Sequence, residues 1–212
     1  MKKQDIADIF EIFKQANPEP KGELDHVNVY TLLVAVALSA QATDKGVNKA
    51  TKALFAKVTT PEQMIALGEE QLLEHIKTIG LFRSKAKNVM MMAHQLVEKH
   101  KGIVPNDQKA LEALAGVGRK TANVVRNIAF GVPTVAVDTH IFRIGNRTGL
   151  CKAKTPDEMM TKLPPKIPME YRLHAHHWLI LHGRYVCTAR KPKCYACPIE
   201  KYCIFKDKVL KP

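Results

Sequence analysis

No stretch of the chain keeps up the alternation of apolar and polar positions that a half-buried strand requires, so no strands are predicted. Apolar residues recur instead at helical spacing, between residues that start and stop helices. Asp44 reads as an N-cap ahead of Val47, Ala50 and Leu54. Thr60-Pro61-Glu62-Gln63 and Thr155-Pro156-Asp157-Glu158 both have capping-box form with proline at the first helical position. Gly68 punctuates the next helix and Gly80 ends it. Ser84 opens a long helix to about His100, closed by Gly102, in which Met90, Met91 and Met92 read as core filler. Asp107 caps a helix ending near Leu114, and Met169 to Val186 reads as one helix carrying Trp178. The run from Thr31 to Leu38 is hydrophobic all round and belongs in the middle of a bundle. The fold class is therefore all-α, with short turns and no repeat or low-complexity linker. The clearest joint is Val132-Pro133-Thr134.

Length and charge narrow the function. The 212 residues suit one large or two small domains, each able to bury a core without disulfides. The longest apolar stretch, Tyr30 to Ala40, is far short of a bilayer span. The amphipathic start Met1-Lys2-Lys3-Gln4-Asp5 lacks the apolar core of an export signal. The net charge is +13, from 33 basic and 20 acidic side chains, which points to a polyanion such as nucleic acid. Residues 133–212 hold 15 basic against 6 acidic groups, most of that excess.

Chemistry concentrates in three places. The first is Leu111-Glu112-Ala113-Leu114-Ala115-Gly116-Val117-Gly118-Arg119-Lys120-Thr121-Ala122, a turn with glycines two apart between two helices. Glycine permits positive φ and close backbone approach, and the N-terminus of the second helix offers unpaired N–H groups. Gly116, Val117, Gly118 and Arg119 thus form a socket for one DNA phosphate, which reads no sequence. Lys120, in the first turn of that helix, faces the positive dipole end, a placement that disfavours its charged form and suits an amine nucleophile. The second place is Asp138, which follows an apolar run, reads as an N-cap, and as a carboxylate would stabilise a cationic transition state.

The third is the cysteine set. Cys187, Cys194, Cys197 and Cys203 fall in a C-x6-C-x2-C-x5-C run of 17 residues, a metal-holding density of thiols. Zinc sites usually pair two C-x2-C knuckles and only one is present, so a 4Fe–4S cluster fits better. Residues 184–211 hold eight basic and two acidic side chains, and Arg190 and Lys191 in the first cysteine loop read as a DNA backbone contact. Cys151 reads as an incidental buried thiol, and His174, His176, His177 and His182 as core or surface residues rather than ligands.

Three features together resemble the helix–hairpin–helix superfamily of base-excision DNA glycosylases: the hairpin with Lys120, Val135-Ala136-Val137-Asp138-Thr139-His140, and the cysteine quartet. One departure is Ala115, where the family usually has proline, which is expected to loosen the turn. The resemblance settles the cofactor expectation on a 4Fe–4S cluster. It implies that the Lys120 amine attacks C1′ of a damaged nucleotide, forms a Schiff base and cleaves the strand by β-elimination. It implies too that Gln41 and Leu81, both at loop positions, fill the gap left by a flipped base.

The expected architecture is two helical domains with the chemistry in a cleft between them. Residues 22–132 carry the helix–hairpin–helix at about 108–130, and 1–21 with 133–212 form the cluster domain. The expected activity is removal of oxidised pyrimidines from double-stranded DNA, with lyase action at the abasic site. A monomeric, cytoplasmic, nucleoid-associated bacterial protein without export segment or membrane contact is expected. The rivals are an adenine- or thymine-mismatch glycosylase of the same superfamily and a non-catalytic Fe–S protein that binds DNA or senses redox state.

Overall fold

The computed structural model describes residues 1–211 and divides the chain into two compact units, Glu23–Gly131 and Met1–Gly22 with Val132–Pro212. Among the described residues there is no strand, and no helix is long and apolar enough to cross a membrane.

The Glu23–Gly131 unit holds α2 (Val29–Leu38), α3 (Asp44–Phe55), α4 (Pro61–Leu67), α5 (Glu69–Ile76), α6 (Phe82–His100), α7 (Gln108–Glu112) and α8 (Arg119–Phe130), following α1 (Lys3–Ala16) in chain order. Its core is built around α2, where every residue from Tyr30 to Val36, and Leu38, is buried. Met64, Leu72, Ile76, Met92, Leu96 and Leu111 close over it from four further helices. An all-apolar helix has no solvent face, so its neighbours must supply polar faces outward. The ends of α2 are polar: Asn28 caps it by accepting from the Thr31 amide at 2.9 Å, and Asn28 Nδ2 donates to the Thr59 carbonyl at 2.8 Å.

The other unit holds α1, α9 (Thr139–Thr148), α10 (Pro156–Lys162) and α11 (Arg172–Tyr185), then a helix-poor cysteine segment. Phe10 of α1 stacks on Tyr171 at 6.0 Å between ring centroids and lies 6.3 Å from Trp178. Trp178 Nε1 donates to the Asn17 carbonyl at 2.7 Å, and the Tyr171 hydroxyl donates to Glu11 at 2.8 Å. The indole N–H and phenol O–H thus find partners while their rings fill the core. Tyr171 is pushed up to about 12, foremost because its proton is held by the Glu11 carboxylate.

Some helix boundaries differ from the sequence reading. Thr43 rather than Asp44 caps α3, its hydroxyl accepting from the Gly46 amide, and Asp44 becomes the first helical residue. The long helix begins at Phe82, two residues before Ser84, because Leu81 takes a left-handed conformation and sets the start. Ile76 ends α5 well before Gly80, and α7 ends at Glu112. The helix expected from Met169 opens as a 3₁₀ turn, Met169–Tyr171, before α11.

Candidate nucleic-acid interface and metal centre

The hairpin is built by a tight turn between α7 and α8. The Val117 amide donates to the Leu114 carbonyl at 3.1 Å, and Gly116 sits at φ 74°. A hydrogen bond from residue i+3 back to residue i, with positive φ at i+2 alone, is the type II form, and it demands glycine or asparagine there. Leu114 and Val117 point into the core and pin the turn from inside. Gly116, Gly118, Arg119 and Lys120 are exposed. Gly118 is the N-cap of α8 and no side chain caps that end, which leaves first-turn N–H groups to an outside acceptor. The Lys120 side chain has no ion-pair or hydrogen-bond partner among the described residues, so its amine is available to a ligand.

Gln41 and Leu81 belong to the same unit as the hairpin. Both are exposed, and both have left-handed backbone, at φ 55° and φ 60°. Their loops adjoin: a Cβ on Gly80 would lie 3.7 Å from the Gln41 carbonyl oxygen. A bulky residue rarely adopts positive φ without cause, and such strain gathers at functional sites. Leu81 keeps 59% of its surface exposed, unlike its neighbour Ile79, which is buried. The contrast sets Leu81 apart from core.

Asp138 belongs to the other unit. It caps α9, Oδ1 accepting from the Ile141 amide at 2.8 Å, directly after the buried run Val135, Ala136 and Val137. The cap fixes the side chain, and the run fixes the backbone that carries it. Two arginines then extend from α9 to the cysteine segment. Arg143 donates to the carbonyls of Cys187 at 2.9 Å and Gly183 at 2.8 Å. Arg147 donates to those of Thr188 at 2.7 Å and Ala189 at 2.8 Å, and lies 4.5 Å from the centre of the Phe205 ring. The sequence reading missed both. Their spacing of four on one helix was the available signal, but carbonyls some forty residues away gave none.

All four clustered cysteines are free and partly buried, and all four line one partly open cavity that Arg147, His182 and Phe205 also border. A single tetrahedral zinc would draw its sulfurs to within about 3.8 Å of one another. No group of three or more His, Cys, Asp or Glu among the described residues is set to hold one metal ion. Four thiols lining one cavity are a donor set that fits a 4Fe–4S cluster. Burial pushes Cys197 up to about 11 and raises Cys203 as well, and a coordinated metal reverses that by holding the sulfur as thiolate. His182 is buried beside this set, Nε2 at 3.6 Å from Cys197 Sγ. Desolvation lowers it to about 4 and keeps it neutral. Arg190 and Lys191 are exposed on the first cysteine loop, whose fold is closed by the Thr188 hydroxyl donating to the Lys191 carbonyl at 2.6 Å. Cys151 is buried, and burial raises its thiol.

Comparison with known proteins places these features. Residues 34–169 match the HhH-GPD superfamily of base excision DNA repair proteins, and residues 187–203 match the iron-sulfur binding domain of endonuclease III. Endonuclease III of Rickettsia conorii is 58% identical over 96% of this chain and 97% of its own. That of Escherichia coli K12 is 52% identical over 99% of each. The solved structure of a trapped endonuclease III–DNA covalent intermediate is similar with a TM-score of 0.89, at 44% identity over 96% of each chain. A thermostable thymine-DNA glycosylase, at 23% identity and a TM-score of 0.79, shares the fold.

Proposed function

The chain belongs to the HhH-GPD superfamily of base excision DNA repair proteins, in its endonuclease III family, and from that premise we propose that it excises oxidised pyrimidines and cleaves the strand at the resulting site. The observation that carries this reading is the hairpin: a type II glycine turn, an uncapped helix start, and an exposed, unpartnered lysine in the first turn.

The N–H groups of Gly116, Gly118 and Arg119 hold one phosphate of the duplex without regard to sequence, whereas Val117, expected among them, is buried and spends its N–H on the Leu114 carbonyl. That contact positions the backbone beside Lys120. Leu81 and Gln41 enter the stack and take the place of the extruded nucleotide, whose unstacking costs a few kcal/mol. The Lys120 amine forms a bond to C1′, and the damaged base leaves with the electrons of the glycosidic bond. The sugar ring opens to an imine, a C2′ proton is lost, and the 3′ phosphate departs by β-elimination. Asp138, its carboxylate already oriented by its cap, is assigned the stabilisation of the cationic sugar. Arg190 and Lys191 add backbone contacts from the cysteine loop.

Cys187, Cys194, Cys197 and Cys203 would hold a 4Fe–4S cluster. Bound there, it would supply a covalent cross-link among the four thiolates of this 17-residue run. Arg143 and Arg147 hold the carbonyls beside the first ligand and anchor the loop to the helix that Asp138 caps.

Borohydride trapping on a duplex with an abasic site tests the reading. Wild-type protein is expected to form a reduced covalent adduct. Lys120→Gln is expected to fold and bind the duplex, to give no adduct, and to lose glycosylase turnover by several orders of magnitude, since no imine forms without the amine. Undiminished trapping by Lys120→Gln would show that another amine is the nucleophile.

A further inference from the structure

Position i+1 of a type II turn is the place where proline is favoured, because its fixed φ pre-sets the turn and the turn makes no use of that residue's N–H. In the hairpin that position is Ala115, whose φ no ring restrains. Its N–H nevertheless has a partner. It donates to Gln95 Oε1 at 2.7 Å, a short bond from a half-buried glutamine twenty residues back on α6. The other end of the same amide, Gln95 Nε2, makes a long 3.5 Å contact with the Ala113 carbonyl on the near side of the turn. Seven residues earlier, two turns along the same face of α6, Asn88 packs against the turn's glycine. A Cβ on Gly116 would come within 2.9 Å of the Asn88 Cβ. The helix thus grips the turn at two consecutive residues, Ala115 by hydrogen bond and Gly116 by contact.

We infer that Gln95 is a positioning residue for the hairpin, a side-chain clamp that does for Ala115 what a proline ring would do covalently. Proline limits the conformations open to the turn, and a hydrogen bond from a rigid helix limits them by tethering. The two devices exclude each other, since proline has no N–H for Gln95 to accept. The inference adds a residue to the reading of the hairpin as a phosphate contact and rests on that reading for its consequence in DNA binding.

A double-mutant cycle in the full-length, cluster-loaded protein tests it: parent, Gln95→Leu, Ala115→Pro and the double variant. The primary readout is hydrogen exchange at the Val117 amide without DNA, which reports opening of the turn itself. Gln95→Leu is expected to speed that exchange by about two- to tenfold, the range for loss of one net hydrogen bond. Ala115→Pro is expected to bring it back to the parental rate in the Gln95→Leu background. In the parental background the same proline is expected to gain less, because it leaves the glutamine oxygen without its donor. Equal exchange in parent and Gln95→Leu would overturn the clamp, as would a proline effect of the same size in both backgrounds. The second readout is affinity for a duplex with a tetrahydrofuran abasic analogue, expected to follow the exchange rates. A coupled exchange cycle with the same affinity in all four proteins would uphold the clamp and overturn the hairpin as the phosphate contact.

Discussion

Leu81 and Gln41 carry a cost in the free protein. Left-handed backbone at a residue with a Cβ costs about 1–2 kcal/mol, and nothing in the packing repays Leu81, whose side chain is mostly exposed. Leu81→Gly separates the strain from the side chain. Stability is expected to hold or to rise by up to about 1 kcal/mol, strain relief set against a more flexible unfolded chain. Affinity for an abasic duplex is expected to fall, because the side chain proposed to fill the gap in the stack is gone. Leu81→Ala is expected to lose the same affinity without the gain in stability. Thermal melts and binding isotherms of the three proteins check the pair of signs, and a Leu81→Gly protein less stable than its parent would remove strain from the account. At this scale the sequence was legible wherever a residue acts on its own neighbours. Asp107, Thr60, Thr155 and Asp138 cap the helices that follow them because a cap needs only the next three residues. His182 against Cys197, and Lys85 buried without a hydrogen-bond partner, were not legible, since burial is decided by segments distant in the chain.

Helix α8 and its turn show two glycines with opposite reasons for being there. Gly116 serves the protein: φ 74° and the Asn88 Cβ beside it leave no place for a side chain. Gly118 does not, because its φ is −93° and a Cβ there would meet nothing within 4 Å. A glycine that the fold does not need, at a helix N-terminus open to solvent, is explained by what must approach from outside. Gly116→Ala is therefore expected to destabilise the protein by about 1 kcal/mol or more. Gly118→Ser is expected to keep or slightly raise stability, serine being at least as good an N-cap, while weakening binding to damaged and undamaged duplexes alike. Denaturant unfolding with parallel binding titrations checks this. Equal affinity in Gly118→Ser and parent would mean that the phosphate does not come close to Cα118. The two-helix form of this element was readable from the spacing of its glycines. The part supplied by α6 was not, because Gln95 and Asn88 carry no motif and matter only through the turn they touch. Helix starts were misplaced by a residue or two where adjacent residues can both cap, as Thr43 and Asp44 can, or where a left-handed leucine does what sequence reasoning assigns to a later serine.

Over the whole molecule, apolar burial is unevenly shared. The Glu23–Gly131 unit closes around α2, and the helices of the other unit close around Phe10, Ile144 and Trp178. The segment from Cys187 to Lys211 has no such core: only Pro192 and Ile199 in it are buried. It is held by the two arginines of α9, by the Lys208–Glu200 ion pair, and by backbone bonds such as the Tyr195 amide donating to the Val209 carbonyl at 3.0 Å. A segment of this length that buries so little cannot offset its own ordering entropy, so metal binding and its folding are one equilibrium. Purified protein is expected to hold about four irons per chain. Removing them with a chelator under reducing conditions is expected to abolish hydrogen-exchange protection across residues 187–211 and to open the chain to trypsin after Arg190 and Lys193. The helices of the Glu23–Gly131 unit are expected to keep their protection, because their core contains none of the ligands. DNA binding is expected to weaken on all duplexes, with a salt dependence flatter by up to about two units as the contacts proposed for Arg190 and Lys191 are lost. Unchanged protection in residues 187–211 after iron loss would mean that the arginines and backbone bonds suffice to order the loop, leaving the cluster no part in its fold.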